Sequence, residues 1–534
     1  MDSQYLDYLK NQFARGRMSR REFMGRVSAV GVTAAVAASV LGAAETARAA
    51  TPKRGGSARF AMGNVQTGEN LDPLASGSNT AHMRAMTGWN PLVKISPDFE
   101  AQPELATSWE STPDAKQWTF KIRQGVEFHD GKSMTTADVA HSLRRHTGQK
   151  TESQAKSLFK GVTEVKAVDA STVRVTLSSA NVDFPLYLGQ QNIGVVPEDL
   201  GAGTGGKGVG TGPFRLKEFK PGISSTWVRN ENYWKDGFPY LDEVEIFPII
   251  DRTARTNAIM SGDIDVMSNC DPKTVSLLRR TPGVEVVSTK AGSHTLISCQ
   301  TELSPADNAD LRLALKYSMD REKTLRSVYK GLGQLGNDHN VHPQDPFYCK
   351  DLAQRTYDPD KARFHIKKAG LENTEIPIFT SETPGPGAIE VAELIQQTAK
   401  AAGINIKVNR VPADTYWSNT WLKQPIVVSG WNGRPTADLM MTAAHTAGAR
   451  FNESRWENPR FSELLVAARG ELDKSKRAAM YCEMQTLMHN DGGVVGPTFF
   501  DYIDATRDYV KGYVPNGTGT MGGFQIAEFI WLDK

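Results

Sequence analysis

Cysteine is scarce in this chain of 534 residues: Cys270, Cys299, Cys349 and Cys482 are widely spaced, with no CxxC pair. That spacing excludes the usual thiolate zinc sites and dithiol redox motifs. In an oxidising compartment it leaves room for one or two disulfides, whose pairing the sequence does not give, or for buried free thiols. Catalytic words are missing as well. No HExxH and no G-x-S-x-G occurs, and His141 and His146 are five apart, off one helical face. A bound metal or cofactor therefore has no support in the spacing, and none is expected. Net charge of one sign is also lacking. Residues 1–49 hold seven basic side chains against four acidic, so the overall +2 becomes about −1 for the remainder. A near-neutral body argues against nucleic acid and anionic membrane surfaces as partners.

No long hydrophobic run is present. The most apolar stretch, Val27 to Ala44, is short and weakly hydrophobic, a poor membrane helix. It follows Ser19-Arg20-Arg21-Glu22-Phe23-Met24, a twin-arginine export pattern. It precedes Ala47-Arg48-Ala49, small residues at both positions a signal peptidase reads. Residues 1–49 thus read as a twin-arginine signal peptide, with Met18 as an alternative start. No cysteine stands near the cleavage site to carry a lipid. The expected location is the periplasm.

What is present is clearest between Leu105 and Leu143. Trp118, Phe120 and Ile122 alternate with Thr119, Lys121 and Arg123, a half-buried strand. His129-Asp130-Gly131 reads as a turn, since Asp-Gly supplies the backbone a reversal needs. Thr135 or Thr136 then caps a helix beginning near Ala137. From about His294 strands and helices alternate in a βαβ rhythm, which predicts a partly parallel central sheet.

This 105–143 segment resembles the signature of the family 5 extracytoplasmic solute-binding proteins. Further words in order strengthen the likeness: Thr211-Gly212-Pro213-Phe214 with Arg229-Asn230-Glu231-Asn232-Tyr233-Trp234, then Asp310-Leu311-Arg312 with Met319-Asp320-Arg321. Tyr357-Asp358-Pro359-Asp360-Lys361-Ala362-Arg363 completes the set. The resemblance covers residues 55–534 and implies an α/β, two-lobed periplasmic binding protein, with an extra subdomain in the first lobe and a ligand cleft between lobes. The implied division is a first lobe from 50–92, 205–292 and 500–534, an inserted subdomain at 93–204, and a second lobe at 293–499. The first lobe would be completed by the chain's last strand. The implied function is capture of a small polar solute for an inner-membrane ABC permease, by a monomer that makes and breaks no bond. A di-/oligopeptide or metallophore carrier, or an exported hydrolase, is the alternative reading.

Two motifs carry less than they first offer. Gly201 to Gly208 contains Gly-x-x-x-x-Gly-Lys, but Gly208 stands where a phosphate loop needs Ser or Thr. His129-Asp130 falls in the turn just described. The stretch Val427 to Asp438 carries more. A buried strand there ends in Gly430-Trp431-Asn432, placing polar side chains at a sheet tip facing the cleft. The peptide-binding relatives typically place an acidic residue before the proline, to hold a ligand's amino group; here that residue is Arg434. The reversal would repel an amine and suit a carboxylate, phosphate or sulfate. The competing arrangement pairs Arg434 with Asp438 or Glu453 at the surface. Asp438 would otherwise be free to reach a ligand cation. Other cleft candidates implied by the family layout are Asn64 in the 64–67 loop, Thr80 beside Ser78-Asn79, Gln191 in Gln190-Gln191-Asn192, His294, and the aromatics Trp417, Trp421 and Trp431.

Overall fold

The computed structural model describes residues 52–66, 68–200 and 207–534. The stretch read as an export signal, Thr67 and most of the glycine-rich loop lie outside them. Three sheets organise the chain. The first has seven strands in the order Val284–Thr289, Tyr502–Arg507, Val266–Met267, Ser57–Met62, Glu243–Pro248, Ser224–Arg229 and Phe214–Lys220. The second has six, in the order Gly333–Leu335, Val494–Phe500, His294–Cys299, Ile426–Trp431, Glu375–Thr380 and Asn405–Arg410. A four-stranded antiparallel sheet, Ala106–Ser111, Gln117–Ile122, Thr172–Leu177 and Val162–Asp169, makes the third. The first sheet draws its strands from 57–62, 214–289 and 502–507, the second from 294–500, and the third from 106–177.

Local chemistry accounts for the elements. In the third sheet Trp118, Phe120 and Ile122 are buried in one core. The turn that follows has Gly131 at φ +87°, where a side chain is disfavoured. Thr135 caps the helix Thr136–Arg144 with a reciprocal capping box: Asp138 N–H donates to Thr135 Oγ1 at 3.3 Å, and Thr135 N–H donates to Asp138 Oδ2 at 2.8 Å. His129 is structural: its ring nitrogens face the Gly208 and Gly212 carbonyls at 3.4 and 3.0 Å. In the second sheet Glu375–Thr380 runs parallel to both neighbours, while the other pairs are antiparallel. Cys349 and Cys482 form a disulfide, and Cys270 and Cys299 are buried free thiols.

The chain passes between the two large sheets twice, from Thr289 to His294 and again through Asp501 alone, between Phe500 and Tyr502. The chain end packs into the core of the first lobe without joining its large sheet: Ile530 and Leu532 lie with Ala58, Phe60 and Val244. Trp531–Leu532 pairs only with Val510–Lys511, and Tyr502–Arg507 is the strand that returns to the first sheet. Strands at Val266–Met267 and Glu243–Pro248 already flank Ser57–Met62, and Tyr502–Arg507 fills the slot beyond, leaving no interior place for the chain end.

The inserted region docks on the second lobe through charge. Arg477 donates two parallel hydrogen bonds to Asp183, at 2.7 and 2.5 Å, with both side chains buried. Beside this pair Asp345 is buried; burial, reinforced by the Asp183 charge, raises its pKa to about 7 despite a hydrogen bond from Phe347 N–H. The folded protein therefore keeps a proton there that the unfolded chain gives up near pH 4, so the group costs stability as pH rises from about 4 to 7 and no more above that. Asp345→Asn is expected to flatten this part of the profile: wild type loses more in Tm between pH 5 and pH 8 than the variant. Parallel Tm profiles across that range would refute the assignment.

Candidate functional site

The strand Ile426–Trp431 ends at the lip of a cavity of about 350 Å³. Its walls include Trp417, Trp421, Trp431, Phe451, Arg434 and Arg450. Gly430 is required at the lip, because a Cβ there would sit 1.8 Å from the Pro384 carbonyl oxygen. Gly433 N–H donates to Ser293 Oγ at 3.1 Å, tying the loop to the segment that crosses between lobes. Trp417 stands on a single wide turn, Tyr416–Thr420, and is 44% exposed.

One carboxylate lies in this wall, and it is fully engaged. Glu453 accepts hydrogen bonds from Trp421 Nε1 at 2.7 Å, Trp431 Nε1 at 3.0 Å and Ser429 Oγ at 2.5 Å. Burial raises its pKa despite these three donors. The arrangement fixes two indole rings as walls, and leaves Glu453 without a free face for a ligand cation.

Arg434 is solvent-accessible yet ringed by protein. That surrounding mass pulls its pKa down, with Tyr502 opposing, and no hydrogen bond from a described residue contributes. It pairs with neither of its sequence-predicted partners. Asp438 is buried in the first turn of the helix Ala437–His445, where Arg469 Nε donates to it at 3.1 Å and Tyr187 OH at 3.3 Å. Asp438 is thus a structural acid, not a ligand contact. The helix itself, capped by Thr436, is an element that the turn reading of 427–438 did not include.

A second cavity, of about 270 Å³, meets the first at Asn432, which lines both. Its walls come from both large sheets and their crossings, among them Asn79, Arg255, Ser293, Asp501 and Tyr502. Arg255 is committed to backbone carbonyls of Ile249, Ile250, Ser268 and Asn269.

Of the eleven residues put forward from sequence, six line the first cavity: Trp417, Trp421, Gly430, Trp431, Asn432 and Arg434. The other five do not join them. Thr80 is fully buried and its hydroxyl donates to the Asn64 carbonyl, while Asn64 Oδ1 accepts from Asn79 N–H at 2.9 Å. Gln191 is half-buried and lines neither cavity; its neighbour Asn192 donates to the Ser76 carbonyl. His294 is fully buried, with Nδ1 2.8 Å from the Gly292 carbonyl and Nε2 2.9 Å from Asn340. Burial lowers its pKa to about 4, so it is neutral. A histidine satisfied on both nitrogens in a core strand has nothing left to offer a ligand. Arg450 and Phe451 were missed, and Glu453 was named only as a partner for Arg434. Arg450-Phe451 follows Gly448 in a small-residue stretch with no motif, and only the fold brings it back to Trp431.

Two sheet-centred lobes crossed by two chain segments, with an aromatic and cationic cavity at a sheet tip beside the crossing, define a solute-binding protein. The chain belongs to the bacterial extracellular solute-binding proteins of family 5, whose model matches residues 100–452. It is 28% identical over 462 residues to heme-binding protein A of Haemophilus influenzae, covering 79% of this chain and 83% of that one. It is 26% identical over 462 residues to the dipeptide-binding protein of Escherichia coli, covering 79% and 85%. Among solved structures it is similar to the ABC transporter-associated periplasmic binding protein DppA from Helicobacter pylori in complex with peptide STSA. There the identity is 25% and the TM-score 0.73, over 90% of this chain and 99% of that one.

Proposed function

We propose that this chain captures a carboxylate-bearing small organic solute in the cavity at Trp431 and Arg434, and delivers it to an inner-membrane ABC permease from the periplasm. It acts as a monomer, by lobe closure, and catalyses no reaction. The relatives named above are binding proteins, and one is described as ABC transporter-associated. The walls of this cavity come from the second lobe, so a ligand seated there would favour the closed arrangement by the further contacts the first lobe makes on closing over it. The observation that carries the ligand class is the Arg434 guanidinium, set among tryptophans with both nearby acids engaged elsewhere. A planar guanidinium left without a carboxylate fits a ligand carboxylate with two parallel hydrogen bonds.

Native mass spectrometry of gently purified protein, followed by denaturing analysis of what is released, tests this. An anionic or zwitterionic small molecule is expected, and Arg434→Ala should lower its affinity by about 10- to 100-fold, the worth of hydrogen bonds to a charged group. Release of a mixture of ordinary dipeptides, retained equally by Arg434→Ala, would overturn the ligand class and leave the carrier assignment intact.

A further inference from the structure

The same cavity holds a second cation, and from the pair we infer that the ligand is a dianion with a flat, unsaturated body, one anionic group meeting Arg434 and the other Arg450. This rests on the reading just given and narrows it. Arg450 is exposed, lines the wall opposite no free acid, and its guanidinium lies 5.5 Å from the centroid of the Phe451 ring. Like Arg434, it forms no ion pair with a described residue. The cavity's uncommitted charges are therefore two guanidinium groups and no carboxylate, since Glu453 is spent on two indoles and a hydroxyl.

Three tryptophans and a phenylalanine around a cavity would ordinarily suit a cation as well as a neutral ring. Here the two arginines repel a cation, and the one acid that might have balanced it is engaged. A neutral aromatic would fill the walls and leave both guanidinium groups unmatched. A monoanion would match one. A flat molecule bearing two anionic groups matches both and uses the indole faces, and a volume of about 350 Å³ is within the small-molecule range. A phosphate monoester carries the same charge on a single group, which meets one guanidinium and not both, so two carboxylates fit the pair.

Quenching of tryptophan fluorescence reads this cavity directly, because Trp417, Trp421 and Trp431 form its walls. Benzoate, isophthalate and phenyl phosphate are titrated into wild type, Arg434→Ala and Arg450→Ala. Both side chains are exposed, so neither variant should lose its fold, and an unchanged Tm checks this. The expectation is that isophthalate binds at least tenfold tighter than benzoate, and tighter than phenyl phosphate, to wild type. A preference for phenyl phosphate over isophthalate would overturn the two-group assignment. Arg450→Ala should abolish the preference while keeping benzoate affinity, and Arg434→Ala should weaken all three. Equal affinities in wild type, failure of all three probes, or a dianion preference that survives Arg450→Ala would overturn the two-arginine assignment. An Arg434→Ala variant that binds the probes like wild type would instead remove the underlying reading of the cavity.

Discussion

Asp338→Asn is expected to destabilise the protein by about 3–5 kcal/mol, the range for breaking a buried ion pair from one side. Asp338 is fully buried in the second lobe. Arg355 Nε donates to its Oδ2 at 2.6 Å, Arg321 donates to Oδ1, and Gly496 N–H reaches the same oxygen at 2.7 Å. Burial alone would raise the pKa of this carboxyl. The charges of Arg321, Lys316 and Arg355 outweigh it and hold the group well below the usual carboxylate range. With a depressed pKa, the contribution is present above about pH 4 and fades only in strong acid. Asn is the informative replacement because Asp338 has φ +62°, a left-handed conformation that Asn also tolerates. Shape and backbone are kept, while Arg321, Arg355 and Lys316 lose their shared anion. Urea denaturation at pH 7 should show the midpoint falling, and adding Arg321→Met should recover part of the loss. A midpoint within about 0.5 kcal/mol of wild type, the scale of an inconsequential surface change, would refute the role.

None of this cluster was legible in the sequence, whereas the lobes that contain it were. Met319-Asp320-Arg321 was recognised as a family word, yet its physical sense, an arginine aimed at a carboxylate seventeen residues on, depends on a loop returning across the sheet. The difference between the two kinds of inference is range. Alternation at Gln117–Ile122 and the cap at Thr135 follow from neighbours within a turn or two, and the structure has them nearly in register. The same holds at the candidate site. A strand ending in Gly-Trp-Asn followed by Arg434 is local, and these residues line one cavity. Which acids remain free near that arginine is not local: Asp438 is taken by Arg469, thirty-one residues away, and Glu453 by indoles from two separate segments. Thr80 and His294 erred in the other direction. Their side chains suit a ligand, but burial and local carbonyls had already claimed them.

The contact between the inserted region and the second lobe gives the largest expected effect on binding. Asp183 and Arg477 are both about 5% exposed, and Val182 N–H donates to the Arg469 carbonyl nearby at 2.9 Å. Removing one partner leaves the other charged, buried and unpaired, at a cost of about 3–5 kcal/mol. The protein has an escape that a core ion pair lacks: separating the lobes returns Arg477 to water. Asp183→Asn should therefore act on closure more than on folding. A penalty of that size on the closed state corresponds to a shift in the open–closed ratio of roughly two to three and a half orders of magnitude. Small-angle scattering of ligand-saturated protein should report a larger radius of gyration for Asp183→Asn. Ligand affinity should fall by up to about 100-fold although no cavity residue has changed, while Tm in the absence of ligand moves little. Hydrogen exchange should rise at residues 181–187 and 468–481 together. Replacing both members, Asp183→Asn with Arg477→Met, removes the unpaired charge and should restore much of the affinity, since an apolar substitute for a buried pair is often neutral. If scattering and affinity are unchanged in Asp183→Asn, the pair is a bystander of closure and the lobes are held by their other contacts, Tyr187 to Asp438 and Val182 to Arg469 among them.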